Sequence, residues 1–256
     1  MRSLMESLRY FYRGTWQDYL FPLFSPVHFL LLAILITGGI LIAVNKEKLR
    51  SDGRRILGKL FLGSLFLEQI SQYSWYFLAG TFTLGDGLPL YICRTAIPAI
   101  ILAYLTGNYF VMTISVYWGL FGGILALLFP VIYPFYFPHI TNFTYFLGHF
   151  VMVWSVIYFL AVEKYRFTTK GLLSALVFTN LFNVFVHWLN PMVNGNYSYF
   201  SYPPVFKEVL GKLSSTNYAV VVFITYNLLI LLIHGVGAKL QTNSRPTQGQ
   251  RQTEKW

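Results

Sequence analysis

Residues 27–44 read Val-His-Phe-Leu-Leu-Leu-Ala-Ile-Leu-Ile-Thr-Gly-Gly-Ile-Leu-Ile-Ala-Val, 18 positions with His28 as the only ionisable group. A helix of that length matches a hydrocarbon layer of roughly 30 Å. Comparable blocks recur down the chain. They predict an all-α polytopic membrane protein, a bundle of seven spans: Val27–Val44, Ile56–Ala79, Leu88–Thr106, Phe110–Phe129, Phe143–Val162, Leu172–Leu189 and Tyr218–Ala238. Only Gly107 and Asn108 separate the third from the fourth, so that turn must be tight. The 256 residues are 55% hydrophobic and only 11% charged. A soluble domain carries about 25% charged residues, so that class is disfavoured, and disordered and disulfide-framed chains are excluded.

The basic residues set the expected orientation. Thirteen of 19 follow the first span, the fifth or the last: Lys46, Lys48, Arg50, Arg54, Arg55 and Lys59; Lys164, Arg166 and Lys170; and Lys239, Arg245, Arg251 and Lys255. Cytoplasmic loops are enriched in Lys and Arg, which places this side inside, the C-terminus with it, and the N-terminus outside. The net charge of +10 is thereby explained without nucleic acid. Three segments follow. Residues 1–26 are an interfacial lead without the pattern of a cleaved signal peptide, residues 27–238 the membrane domain, and residues 239–256 a polar tail expected to be disordered.

Ionisable and amide side chains are costly within spans and are candidates for function. Glu68 and Gln72 share a helix face in the second span. Cys93 and Arg94 lie near the outer start of the third, and His149 near that of the fifth, each roughly 7–9 Å deep at 1.5 Å per residue. Asn180, Asn183 and His187 share a face of the sixth, and Asn227 lies in the seventh. The common depth predicts one outward cavity lined by Glu68, Gln72, Arg94 and His149, with Asn183 and His187 close by, and a Glu68–Arg94 pair that lowers the cost of both. Separate interhelical hydrogen bonds are the simpler reading for Gln69, Asn180 and Asn227. Cys93 is the only cysteine, which excludes an intrachain disulfide and a cysteine-based metal cluster within one chain. A lone buried cysteine is commonly a small hydrophobe, but an imidazole at the same depth can take its proton and create a nucleophile. His28, His149 and His187 lack paired metal-ligand spacing, and no metal or other cofactor is expected.

The third span opens with Leu88-Pro89-Leu90-Tyr91-Ile92-Cys93-Arg94. With Phe24 to His28, Glu68-Gln69, His149 and Gly195-Asn196-Tyr197, this makes the chain resemble the bacterial YwaF-type integral membrane proteins and, more distantly, the eukaryotic transmembrane protein 164 family. The resemblance covers most of residues 20 to 238. It implies seven helices in the cell membrane and acyl transfer between phospholipids through a cysteine and a histidine, which fall on Cys93 and His149. The partner would be a membrane phospholipid or lysophospholipid, with a phospholipid acyl ester as donor and a hydroxyl group as acceptor. Glu68, Gln72, Arg94, Asn183, His187, Asn196 and Tyr197 would support the site or bind substrate. The chain departs from the family pattern at Tyr91, where His is frequent, and at Tyr202-Pro203-Pro204, where Lys-Pro is usual. The competing reading is a non-enzymatic protein that binds or transports a lipid or small solute, with Glu68 and Arg94 rather than the thiol carrying the function.

Overall fold

The computed structural model describes residues 2–53 and 55–243, and every regular element among them is helical. A short lead helix α1 (Arg2–Phe11) precedes α2 (Pro26–Val44), where Ser25 caps the first turn and Pro26 occupies a position that needs no N–H donor. A six-residue α3 (Lys46–Ser51) turns the chain into α4 (Ile56–Leu78). Helix α5 (Ile92–Thr106) meets α6 (Tyr109–Leu128) across two residues. Gly107 there takes the left-handed conformation, with φ of 62°. The Asn108 side chain then accepts from the amides of Phe110 and Val111, capping α6. These two residues let consecutive helices return side by side. Next come α7 (Ile140–Ala161), α8 (Thr169–Val193), a 3₁₀ turn over Tyr197–Tyr199, α9 (Lys207–Leu210) and α10 (Ser215–Asn243).

Five of these helices, α2, α6, α7, α8 and α10, are long and apolar enough to cross a membrane, so the chain is a multi-pass membrane protein. The other two expected spans differ for physical reasons. Helix α4 has 23 residues, but Glu68, Gln69, Ser71 and Gln72 dilute its apolar character. Helix α5 has only 15, because the stretch from Leu88 to Tyr91, expected to be helical, is not. Both pack inside the same bundle, α4 against α7 and α5 against α6. Their buried faces explain why they need less apolar surface than α2, which is largely exposed.

Helices α6 and α7 form the centre, buried over more than half their length. Small residues let the neighbours approach. A Cβ at Gly119 would collide with Val156, and one at Gly122 would lie 3.3 Å from the Cys93 Cα. The helices alternate in direction. His28 Nε2 meets the Leu127 carbonyl at 2.8 Å, joining the start of α2 to the end of α6. At the opposite end Arg55 pairs with Glu163 at 3.3 Å, and the Gln241 amide donates to the Tyr165 carbonyl at 2.7 Å. That second end carries Lys46, Lys48, Arg50, Arg55, Lys59, Lys164, Arg166, Lys170 and Lys239. Asn180 and Asn227 exchange reciprocal amide bonds of 2.8 and 2.9 Å between α8 and α10, as the interhelical reading expects. Helix α10 continues to Asn243, past the expected boundary at residue 238; the remainder of the expected tail lies outside the described residues.

Candidate active site

A cavity of about 430 Å³ opens at the end of the bundle away from the basic cluster. Glu68 and Gln72 reach it from α4, Cys93 and Arg94 from α5, and His149 from α7. Five residues read from the sequence as site candidates therefore share one space. The loop between α6 and α7 supplies Val131, Ile132 and Tyr133, and the lead contributes Trp16. Trp16 stacks on Tyr133 and Phe135 with ring centroids 5.7 and 5.3 Å apart, so the lead packs over the mouth. Arg13 fastens it there, donating to the carbonyl of Pro138 at 3.1 Å and to that of Tyr136, while its own carbonyl accepts from the Trp75 indole at 3.1 Å.

Cys93 does not sit well inside a helix, as the expected span implied. Helix α5 begins at Ile92, which puts Cys93 at its second position. The amides of Cys93 and Arg94 belong to the first turn, where no carbonyl of the same helix can accept from them. A negative charge developing beside them faces the positive end of the helix dipole. The preceding segment is held by the 3₁₀ turn. The Tyr197 hydroxyl accepts from the Leu88 amide at 3.0 Å and donates to the Leu84 carbonyl at 2.6 Å. Ser198 donates to the Leu90 carbonyl at 3.0 Å. Tyr197 itself is locked by reciprocal bonds to the Asn190 side chain.

His149 is buried, and its Nδ1 lies 2.6 Å from the Tyr145 carbonyl. A carbonyl only accepts, so Nδ1 carries the proton and the neutral ring presents its lone pair at Nε2. That atom is buried and has no hydrogen-bond partner among the described residues. The Tyr145 ring packs on the imidazole with centroids 4.4 Å apart, and Tyr145 lines the cavity with Cys93. The pair Gly122-Gly123 lies between the two candidates: Gly122 faces Cys93, and a Cβ at Gly123 would come 3.8 Å from the His149 carbonyl. Gln72 also has a spare group. Its Oε1 accepts from the Thr144 hydroxyl at 2.7 Å, leaving its buried Nε2 without a partner among the described residues.

The expected Glu68–Arg94 pair is not formed. Glu68 packs against Gly148, where a Cβ would lie 3.1 Å from its Cγ, and accepts from Gln69 at 2.6 Å. Arg94 turns instead to Asp86 in the loop after α4. Its guanidinium donates to the hydroxyls of Tyr76 and Tyr133 at 2.6 and 2.8 Å and to the Asp86 carbonyl at 2.7 Å. It also lies 3.8 Å from the Asp86 carboxylate. Both tyrosines donate to that carboxylate, Tyr76 at 3.1 Å. Burial pushes the Tyr133 hydroxyl far above the usual tyrosine range, with Arg94 acting the other way, so it serves as a neutral donor. The nearer acid therefore neutralises Arg94. Asp86→Ala removes the carboxylate that accepts from both tyrosines and pairs with Arg94, while the backbone carbonyl that accepts from Arg94 stays. It should lower stability by about 2 kcal/mol, as hydrogen bonds involving a charged group are worth roughly 1.5–3 each. An unchanged denaturation midpoint in detergent would contradict this assignment.

Four further expected site residues stand away from the cavity. Asn183 is fully buried on α8, with both side-chain atoms unpartnered among the described residues. His187 is exposed on the same helix, its ring against Phe200. Helix α8 packs on α6 and α10 rather than on the cavity wall, which is why the shared face did not converge on it. Asn196 folds the loop between α8 and α10, accepting from the amides of Ser201 and Tyr202, and Tyr197 clamps the approach to α5 as described. Reasoning from sequence missed Asp86, Tyr133, Tyr145 and Trp16, all of them cavity residues. One signal was present: Asp86 precedes Arg94 by eight residues, close enough in sequence to pair with a membrane cation. No group of three or more potential metal ligands occurs among the described residues.

The TMEM164 family matches residues 23–237, a range that includes every cavity residue except Trp16. No curated protein and no solved structure matches the chain.

Proposed function

The chain belongs to the TMEM164 family, and from that premise we propose a membrane-embedded phospholipid acyltransferase or transacylase that works through a Cys93 thioester. One observation carries the reading. The only cysteine, in the first turn of α5, and a buried histidine with a free Nε2 lone pair line the same cavity. We extend the proposal to a seven-span topology in the cell membrane, with α4 and α5 as the two further spans. The basic end is then cytoplasmic and the cavity opens on the outer side.

His149 Nε2 takes the proton from the Cys93 thiol as the sulfur attacks the carbonyl carbon of a phospholipid ester. The oxyanion is bound by the spare Gln72 Nε2–H and by the first-turn amides of α5. Collapse breaks the ester C–O bond, and the departing lysophospholipid oxygen takes the proton from His149 Nε2. This leaves an acyl thioester on Cys93. An acceptor hydroxyl, deprotonated by the same nitrogen, attacks the thioester carbon, and the Cys93 sulfur leaves and is reprotonated. Glu68 and Arg94 shape the polar wall. Tyr197 and Asn196 act at one remove, through the segment that delivers Cys93. The reaction requires no metal.

Purified protein, incubated with a phospholipid carrying a labelled acyl chain and an unlabelled lysophospholipid, should move label onto the lysophospholipid. Failure to move it to any hydroxyl acceptor, water included, would overturn the reading.

A further inference from the structure

A second hollow of about 500 Å³ lies at the other end of the bundle, where α2, α3, α4 and α7 meet. Its bed is apolar, formed by Ile42, Leu57, Phe61 and Trp154. Its rim is polar and comes from the corner between α2 and α3: Asn45, Lys48 and Asp52. The bed is fixed. Trp154 donates to the Leu35 carbonyl at 2.9 Å, and Phe61 and Ile42 are buried. Helix α2 is a membrane span with most of its surface exposed, so the hollow opens beside lipid chains at the level where this span ends.

The charges around the rim are unevenly matched. Arg50 is paired with Glu47 at 2.5 Å, and Arg55 with Glu163 at 3.3 Å. The Asp52 carboxylate accepts from the Ile56 amide at 3.1 Å, so it is occupied in starting α4. Lys48 is exposed on the rim, with no carboxylate within ion-pair distance among the described residues; Lys46 and Lys59 nearby are in the same condition. An apolar slot with an unneutralised ammonium at its mouth fits an amphiphile whose head is anionic. Each lysine near a membrane surface favours acidic lipid by about fivefold in binding.

We propose that this hollow is a binding site for one acidic phospholipid, an acyl chain lying along Ile42, Leu57, Phe61 and Trp154 and the phosphate meeting Lys48. The site lies at the opposite end of α4 and α7 from the reaction cavity and does not depend on acyl transfer.

The test uses the full chain carrying Cys93→Ala, so that no turnover of added lipid intervenes. Native mass spectrometry compares retained phosphatidylglycerol and phosphatidylcholine of identical chains. Phosphatidylglycerol should be retained about fivefold more tightly, and Lys48→Ala should abolish that margin. In parallel, phosphatidylglycerol with brominated chains should quench the tryptophan emission of this protein more than that of a Trp154→Phe variant. Equal retention of the two lipids, a preference untouched by Lys48→Ala, or equal quenching with and without Trp154 would each overturn the site.

Discussion

Replacing Cys93 with Ala is expected to bring phospholipid-dependent acyl transfer to background, a loss of at least about 10⁴-fold, since removing a nucleophile from a comparable triad costs about 10⁶. The substitution should leave the protein folded, because it deletes one small uncharged group at the head of α5. The architecture around that position supports the size of the effect. The α5 backbone at Cys93 is fixed from two sides, by close approach to Gly122 and by the clamp of Tyr197 and Ser198 on residues 84–90. A sulfur held this firmly keeps its alignment to a bound ester, and alignment is where much of an intramolecular rate advantage originates. An alanine there has no atom to form the covalent intermediate. If the variant remodels lipid at the wild-type rate, the thiol is a packing group and transfer belongs elsewhere.

His149→Ala should have the next largest effect, slowing acylation by about 10²–10⁴, the range expected for loss of a positioned general base. It should spare the thioester as an intermediate and change its rate of formation. The deficit should also shrink as pH is raised, because free hydroxide then deprotonates the thiol without help. A purely structural role for the imidazole would not produce that recovery. The Tyr145 carbonyl already fixes which ring nitrogen bears the proton. The base is therefore Nε2, and a variant with Gln at this position, which offers no comparable basic nitrogen, should remain as slow as Ala at neutral pH.

Much of this arrangement was legible in the residues. Apolar run length located the five helices long and apolar enough to cross a membrane, and it also marked the stretches that form α4 and α5. The cost of burying polar groups picked out Glu68, Gln72, Arg94 and His149, which do line one cavity. Part of what failed did so where the chain is not helical. Residues 88–91 look apolar enough to extend a span, yet they form an irregular lead into α5, stitched to the 3₁₀ turn by the Tyr197 and Ser198 side chains. Hydropathy cannot register such long-range bonds. The same blindness hid Asp86, which reaches Arg94 only because its loop folds back over the bundle. Helical periodicity put Asn183 and His187 on one face correctly, but a face has no address until its neighbours are known, and α8 spends it elsewhere. Arg13 and Trp16 also pack the lead over the cavity, through contacts that no local pattern announces.

The central claim is that Cys93 carries the acyl group. It is tested most directly by stopping a single turnover with labelled phospholipid, digesting the protein and reading the mass of the peptide that contains Cys93. The account predicts one acyl chain on that peptide, released by neutral hydroxylamine and missing from the Cys93→Ala protein. Label that moves to a lysophospholipid with no acyl adduct on Cys93 at any time, or an equally labelled Cys93→Ala protein, would contradict it.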